Sequence, residues 1–260
     1  MPVICTWNVN SIKARLGHLE KVVNETKPDV VLLQELKCVA DQFPYEAIEN
    51  MGYNIAVSAQ KSYNGVAILS KSPIEDVRKV LPGDREDEQA RYIEGFTNID
   101  GYGLRVASVY VPNGQEVGSD KFTYKLSFFK RLHGHIKDLL SYNEAMVLGG
   151  DYNVAPEEID VYNPKSLDGT VCFHPEERKW IRTIVNSGVY DAYRLMHPNK
   201  QEFSWWDYRT SGWQNNRGMR IDHLLISPES ADKLKNVWID NKSRGWEKAS
   251  DHAPVFLSLE

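Results

Sequence analysis

Three cysteines, Cys5, Cys38 and Cys172, are all that the chain of 260 residues holds. They are odd in number and widely spaced, which excludes a disulfide framework and any paired-cysteine metal knuckle. Use of cysteine on this scale points to a reducing compartment, and a cytoplasmic protein is the expectation. No stretch approaches the roughly 20 apolar residues needed for a spanning helix, so no membrane partner is expected. The opening residues, Met1 to Trp7, lack a basic region followed by an apolar core and a small-residue cleavage site, and do not read as a leader peptide. No His-x-x-x-His pair stands ready for zinc. No segment rich in Pro, Gly or Ser divides the chain, so residues 1–260 are expected to form one domain, with 42% hydrophobic residues to build its core. A surplus of positive charge is also missing, since the formal net charge is −5. Nucleic-acid binders usually show a basic surface. A metal-dependent phosphodiesterase escapes that objection because its acids gather at the metal, so net charge does not decide the question.

What is present is a set of strands that end in polar side chains. The apolar run Ala145–Leu148 closes in Gly149 and Gly150 and then presents Asp151, Tyr152 and Asn153. In an extended chain residues two apart face the same way, so Asp151 and Asn153 stand side by side at a strand's carboxyl end, where α/β proteins commonly place ligands. Four more strand ends carry similar groups: Asn8 and Asn10 after Val3–Trp7, Glu35 after Val30–Gln34, Asp222 in Arg220–Ile226, and Asp251 with His252 before Ala253–Leu257. Oxygen donors of this kind suit hard cations. Mg²⁺ takes one or two protein carboxylates and fills its remaining positions with water and phosphate oxygens. Acids, amides and one imidazole supply a metal site, a group to activate water, and donors for developing negative charge.

Between these ends the periodicity predicts helices over about Ile12–Lys27 with Ser11 as N-cap, Tyr45–Asn50, Ser119–Ser141 and Pro175–Asn186. In the helix from Ser119, Phe122, Leu126, Phe129, Leu132 and Ile136 form the apolar face, and Lys121, Lys125, Lys130 and Arg131 the other. Those cations are either a solvated face or a DNA contact. Arg91–Ile99 and Leu104–Val111 alternate as a hairpin. Asn163–Gly169 reads as a loop, Asp84–Glu88 as a solvated turn, and Phe203–Met219 as a loop rich in aromatics and arginines. His223 is expected to face away from Asp222, and His133 and His135 to be surface or satisfied interior groups. Mixed parallel and antiparallel signals imply two packed sheets with helices outside. The strand-then-acid pattern at Glu35 and Asp151 is compatible with two similar halves.

Six motifs appear in one order: Trp7-Asn8-Val9-Asn10, Leu33-Gln34-Glu35, Tyr110-Val111-Pro112-Asn113, Gly150-Asp151-Tyr152-Asn153-Val154, Arg220-Ile221-Asp222 and Ser250-Asp251-His252-Ala253-Pro254. In this order the chain resembles the exonuclease III family of abasic-site endonucleases, its bacterial branch in particular, within the endonuclease/exonuclease/phosphatase superfamily. The resemblance implies an α/β fold, a four-layer α/β sandwich of two packed mixed β-sheets flanked by helices. It implies Glu35 as main metal ligand with Asn8 beside it, Asp151 as the acceptor of the attacking water's proton, and Asn153 as its positioner, both near the cation. By the same resemblance His252 touches the scissile phosphate, oriented by Asp222, while Asp251 sits by the metal. Tyr110, Asn113 and Asn10 hold substrate, Arg91 and Lys125 lie near the DNA backbone, and Trp205 and Met219 wall a pocket for an extruded sugar. Trp206, Tyr208 and Trp213 serve either that pocket or core and lid packing. The implied activity is Mg²⁺-dependent cleavage 5′ to abasic sites in duplex DNA, leaving a 3′-hydroxyl, with 3′→5′ exonuclease action and Mn²⁺ as a substitute. Two sheets with helices outside leave no obvious exposed apolar helix face, so a monomer is expected. Two alternatives stand beside that activity: a superfamily phosphoesterase acting on RNA, a phosphoinositide or a lipid, and a non-catalytic binding module.

Overall fold

The computed structural model describes residues 1–260. Its strands are β1 Val3–Asn8, β2 Val30–Gln34, β3 Asn54–Ser58, β4 Val66–Ser70, β5 Ile74–Arg78, β6 Tyr92–Ile99, β7 Tyr102–Tyr110, β8 Met146–Asp151, β9 Tyr190–Asp191, β10 Trp205–Trp206, β11 Gly218–Met219, β12 Asp222–Ile226, β13 Leu234–Ile239 and β14 Val255–Leu259. They build two six-stranded sheets, in the orders β13-β14-β1-β2-β4-β3 and β5-β6-β7-β8-β12-β9, plus a two-stranded ribbon of β10 and β11. Each large sheet has one parallel pair at its centre, β1 with β2 and β7 with β8, and antiparallel neighbours on both sides. The two halves suspected from the sequence are therefore real as topology.

The layers follow from alternation along the strands. Ile4 of β1 faces inward and joins Leu32, Ile68, Val106, Val147 and Leu224 in the core between the sheets, while Cys5 and Trp7 face outward with Leu19 and Val23 of the helix Ile12–Thr26. On the other sheet Ala107, Val109 and Leu148 face outward onto Phe129, Leu132 and Ile136 of the helix Asp120–Leu140 and Ile181 of the helix Pro175–Val185. Polar links cross the core: Gln34 Nε2 donates to Ser108 Oγ at 2.9 Å and to Thr6 Oγ1 at 3.1 Å, and the Ser70 and Thr97 hydroxyls lie 2.8 Å apart. They satisfy groups that burial would otherwise leave costly. No helix is long and apolar enough to cross a membrane.

Several expectations change. Ser11 stands at the N-cap position as expected, but with a φ of 93° its side chain makes no capping bond, and its backbone N–H donates to Glu35 O at 2.8 Å. Asn163–Gly169 contains a helical turn, Pro164–Leu167, capped by the Asn163 side chain. The aromatic segment is no plain loop, since Trp205 pairs with Met219 and Trp206 with Gly218. Trp206 is core, packed on Phe203 and Trp213. The turn at Asp84–Glu88 is anchored rather than freely solvated, because Asp87 accepts from Tyr124 and pairs with Arg131.

Candidate active site

The register sets the site. Tyr110 lies level with Asp151 across the parallel pair β7–β8, and Asp222 lies level with Asp151 across the antiparallel pair β8–β12. Asn8 ends β1 beside Gln34, so Glu35 emerges next to it. Ser250–His252 lead into β14, which runs antiparallel to β1. Both parallel pairs thus end on the same edge of the sandwich, where Glu35, Tyr110, Asn113, Asp151, Asn153, Trp205, Met219, Asp251 and His252 line one cavity of about 340 Å³. Around it Asn10, Glu35, Lys37, Asn153 and Cys172 all hold positive φ, from 45° to 71°. Strain of this kind in residues other than glycine concentrates at functional sites.

Asn8 is the hinge of the acidic half. Its Nδ2 donates to Glu35 Oε1 at 2.8 Å and to Asp151 Oδ2 at 2.9 Å, while its Oδ1 accepts the Asn10 N–H at 3.0 Å. The neighbouring donors fix that amide orientation, because the reversed one would set an oxygen against two carboxylates. Asn8 therefore bridges the two acids as a donor, beside Glu35 as expected. Asn153 is held in a similar way: its Oδ1 accepts from Asn113 Nδ2 at 3.0 Å, its Nδ2 donates to Val111 O at 3.0 Å, and its backbone N–H donates to Asp151 Oδ1 at 2.9 Å. Asn10 Nδ2 and Trp205 Nε1 bind the two oxygens of Asp251, at 2.8 and 3.1 Å.

The basic half is the pair of Asp222 and His252. The Nδ1 of His252 lies 2.9 and 3.1 Å from the two Asp222 oxygens, and its Nε2 lies 3.7 Å from Asp151 Oδ2. Ser204 Oγ donates to Asp222 Oδ2 at 2.6 Å. Burial lowers the affinity of His252 for its proton, but the charge of Asp222, then Asp151, more than reverses this and lifts it to about 10. The ring is an imidazolium at neutral pH. Asp151 moves up to about 7, through burial first and the nearby Asp222 and Glu35, against the pull of His252 and Asn8. Glu35 moves down: burial opposes ionisation, and Lys37 and Asn8 outweigh it.

A hard divalent cation fits this donor set. Ligand atoms of Glu35, Asp151 and His252 lie within 4.8 Å of one another. His252 is engaged at Nδ1 by Asp222, and Glu35 and Asp151 supply two carboxylates, the number Mg²⁺ commonly takes from protein. Asp251 lines the same cavity but stands outside that cluster.

The other expected residues divide. Trp205 and Met219 face the cavity as strand partners. Arg91 stacks its guanidinium over the Tyr110 ring at 4.8 Å, at the rim of an adjoining cavity. Lys125 is not on a DNA-facing surface: it is fully buried and paired with Glu177. His223 turns away, bonded to Arg220 and Val154 O, and His135 is satisfied by Glu94. Sequence reasoning missed Lys37, whose ammonium sits 2.8 Å from Glu35 Oε2, Cys172 and Arg209 at the cavity, and Ser204 buried behind Asp222. Lys37 lies only two residues beyond Glu35, which was a usable signal. Ser204 had none.

Carboxylates able to hold a hard cation, set against an imidazolium clamped by a third carboxylate, define a phosphoester-cleaving class of enzyme. Residues 5–252 match the model of the Endonuclease/Exonuclease/phosphatase family, and the chain belongs to that family. It is 35% identical to the exodeoxyribonuclease III of Haemophilus influenzae over 263 residues, covering 98% of each chain. Among solved structures it is similar to a 3′ phosphatase from Neisseria bound to a product DNA hairpin, with a TM-score of 0.96, 38% identity and full coverage of both chains. An AP endonuclease from Archaeoglobus fulgidus gives 0.94, 35% identity and full coverage of both chains.

Proposed function

We propose that the chain is a Mg²⁺-dependent DNA repair nuclease that cuts the phosphodiester 5′ to abasic sites in duplex DNA and trims 3′ ends, acting as a monomer of one 260-residue domain. One observation carries the reading: Asp151 stands between the acidic cluster of Glu35 and the Asp222–His252 pair, at the floor of a cavity walled by Trp205 and Met219. Relatives named exodeoxyribonuclease III, 3′ phosphatase and AP endonuclease support the substrate class.

Glu35 and Asp151 would hold the cation, which supplies charge neutralisation at the phosphate and a more acidic water. Asp151, ionised beside the cation, takes the proton of the attacking water. Asn153 and Asn113 present amide groups beside it. The imidazolium of His252 meets the charge that builds on the phosphate, and Asp222 keeps that ring cationic and in place. Tyr110 is held protonated by burial and by nearby Glu35, so it donates to phosphate oxygen. A cavity of about 340 Å³ is at the low end of ligand pockets. Its size admits a deoxyribose, and Trp205 and Met219 form the wall against which an extruded sugar would lie.

The test is a substrate panel: an abasic duplex, an intact duplex with a recessed 3′ end, a duplex ending in a 3′-phosphate, an RNA hairpin and an inositol phosphate. Cleavage of the first three with the others inert supports the reading. Turnover of RNA or inositol phosphate with abasic DNA inert would replace it with another phosphoesterase activity.

A further inference from the structure

Lys125 sits where a lysine is expensive. It lies in the helix Asp120–Leu140 and is 0% exposed, as is its partner Glu177 near the start of the helix Pro175–Val185. Its three ammonium protons have three acceptors: Asn153 O at 2.7 Å, Asn113 O at 3.0 Å, and Glu177 Oε1. Glu177 Oε2 in turn accepts the backbone N–H of His174 at 3.0 Å. The lysine stem lies against Gly114, where an added Cβ would come within 3.1 Å of its Cδ. One buried cation thus joins the loop after β7, the loop after β8 and the start of a helix.

A buried ion pair is weak support for stability, since two apolar groups of similar size often do as well. What the pair can supply is geometry. Asn113 and Asn153 are linked twice, by their side-chain amides at 3.0 Å and through Lys125 at their backbone carbonyls. Asn153 also holds Asp151 through its backbone N–H. We infer that Lys125 and Glu177 are positioning residues that fix Asn113 and Asn153 against Asp151, and that Lys125 makes no contact with nucleic acid. The inference rests on the proposed nuclease reading for its substrate, though not for its geometry.

The variants are Lys125→Met, Lys125→Arg, and the double change Lys125→Met with Glu177→Met, which removes both buried charges and guards against a fold lost to one uncompensated carboxylate. Cleavage of abasic duplex is expected to lose about 10²-fold in kcat, the cost of a reacting group displaced by about 1 Å, with KM near the wild type. The slope of log affinity against log salt should not change. The side-chain amide NMR signals of Asn113 and Asn153 should move, while those of Asn8 stay. A salt slope reduced by about one with kcat intact is the signature of a lost phosphate contact and would overturn the inference. So would full kcat in the double variant, which would leave Lys125 a merely structural group. Should the wild type not cut abasic DNA, the functional reading fails, and the amide signals alone decide the positioning role.

Discussion

Replacing Asp222 with Asn keeps the size of the side chain and removes its charge. In the wild type both Asp222 oxygens lie within 3.1 Å of His252 Nδ1, in a buried setting. A hydrogen bond to a charged group contributes about 1.5–3 kcal/mol. At about 1.4 kcal/mol per decade of rate, Asp222→Asn should lower kcat about tenfold to about 150-fold. The pH profile carries more information. His252 titrates near 10, so the imidazolium persists well above neutrality and the alkaline limb of kcat lies high. Without the Asp222 charge, burial regains its pull, and that limb should move towards neutral pH. The folded value exceeds that of the unfolded chain. The proton on His252 therefore stabilises the fold fully below about pH 6.5, and this contribution drains away as the pH rises towards 10. Asp222→Asn should flatten that loss when Tm is followed against pH in metal-free buffer. The assay is single-turnover cleavage of abasic duplex from pH 6 to 10. A kcat within twofold of wild type and an alkaline limb that has not moved would refute the role given to the pair.

Trp206→Ala should destabilise the fold by about 3–5 kcal/mol, the usual cost of emptying a core aromatic site, as read by chemical denaturation. Trp205→Ala, half-buried at the cavity, should leave the denaturation midpoint nearly unchanged and reduce the preference for abasic over intact duplex. Gly150→Ala sets a Cβ 2.0 Å from Val109 O in the neighbouring parallel strand. Overpacking of this severity should cost about 3 kcal/mol or more and appear as a Tm drop of several degrees. Asp151 holds its proton up to about 7, and a cation must displace it. Mg²⁺ affinity should rise as pH climbs through about 7, with proton release seen by calorimetry in buffers of different ionisation enthalpy, and a pH-independent affinity would remove Asp151 from the ligand set.

Residues at strand ends were readable because buried strands are short apolar runs and a polar group at their carboxyl end stands out. Asn8, Glu35 and Asp151 were found this way at carboxyl ends, Asp222, Asp251 and His252 by the same contrast at amino ends, and the register of the two sheets brings them together. The partners of each amide were not readable, because a dipole's direction depends on neighbours far along the chain. Asn8 is aimed by the Asn10 N–H, and Asn153 by Asn113, 40 residues away. Lys125 misled because charge was weighed above periodicity: it lies three residues after Phe122 and four before Phe129, on the buried stripe, while Leu126 is only half-buried. The edge strand β5 shows little alternation because most of its residues are exposed, so nothing in its composition marked it.

Cleavage of a 5′-labelled duplex with one abasic-site analogue, by the wild type and by Asp151→Asn, with Mg²⁺ and with EDTA, tests the centre of the assignment most directly. One cut 5′ to the lesion is expected from the wild type with Mg²⁺, none with EDTA, and a loss of at least several hundredfold in the variant. Incision by Asp151→Asn at the wild-type rate would contradict the part assigned to Asp151, and undiminished cutting in EDTA would contradict the need for a cation.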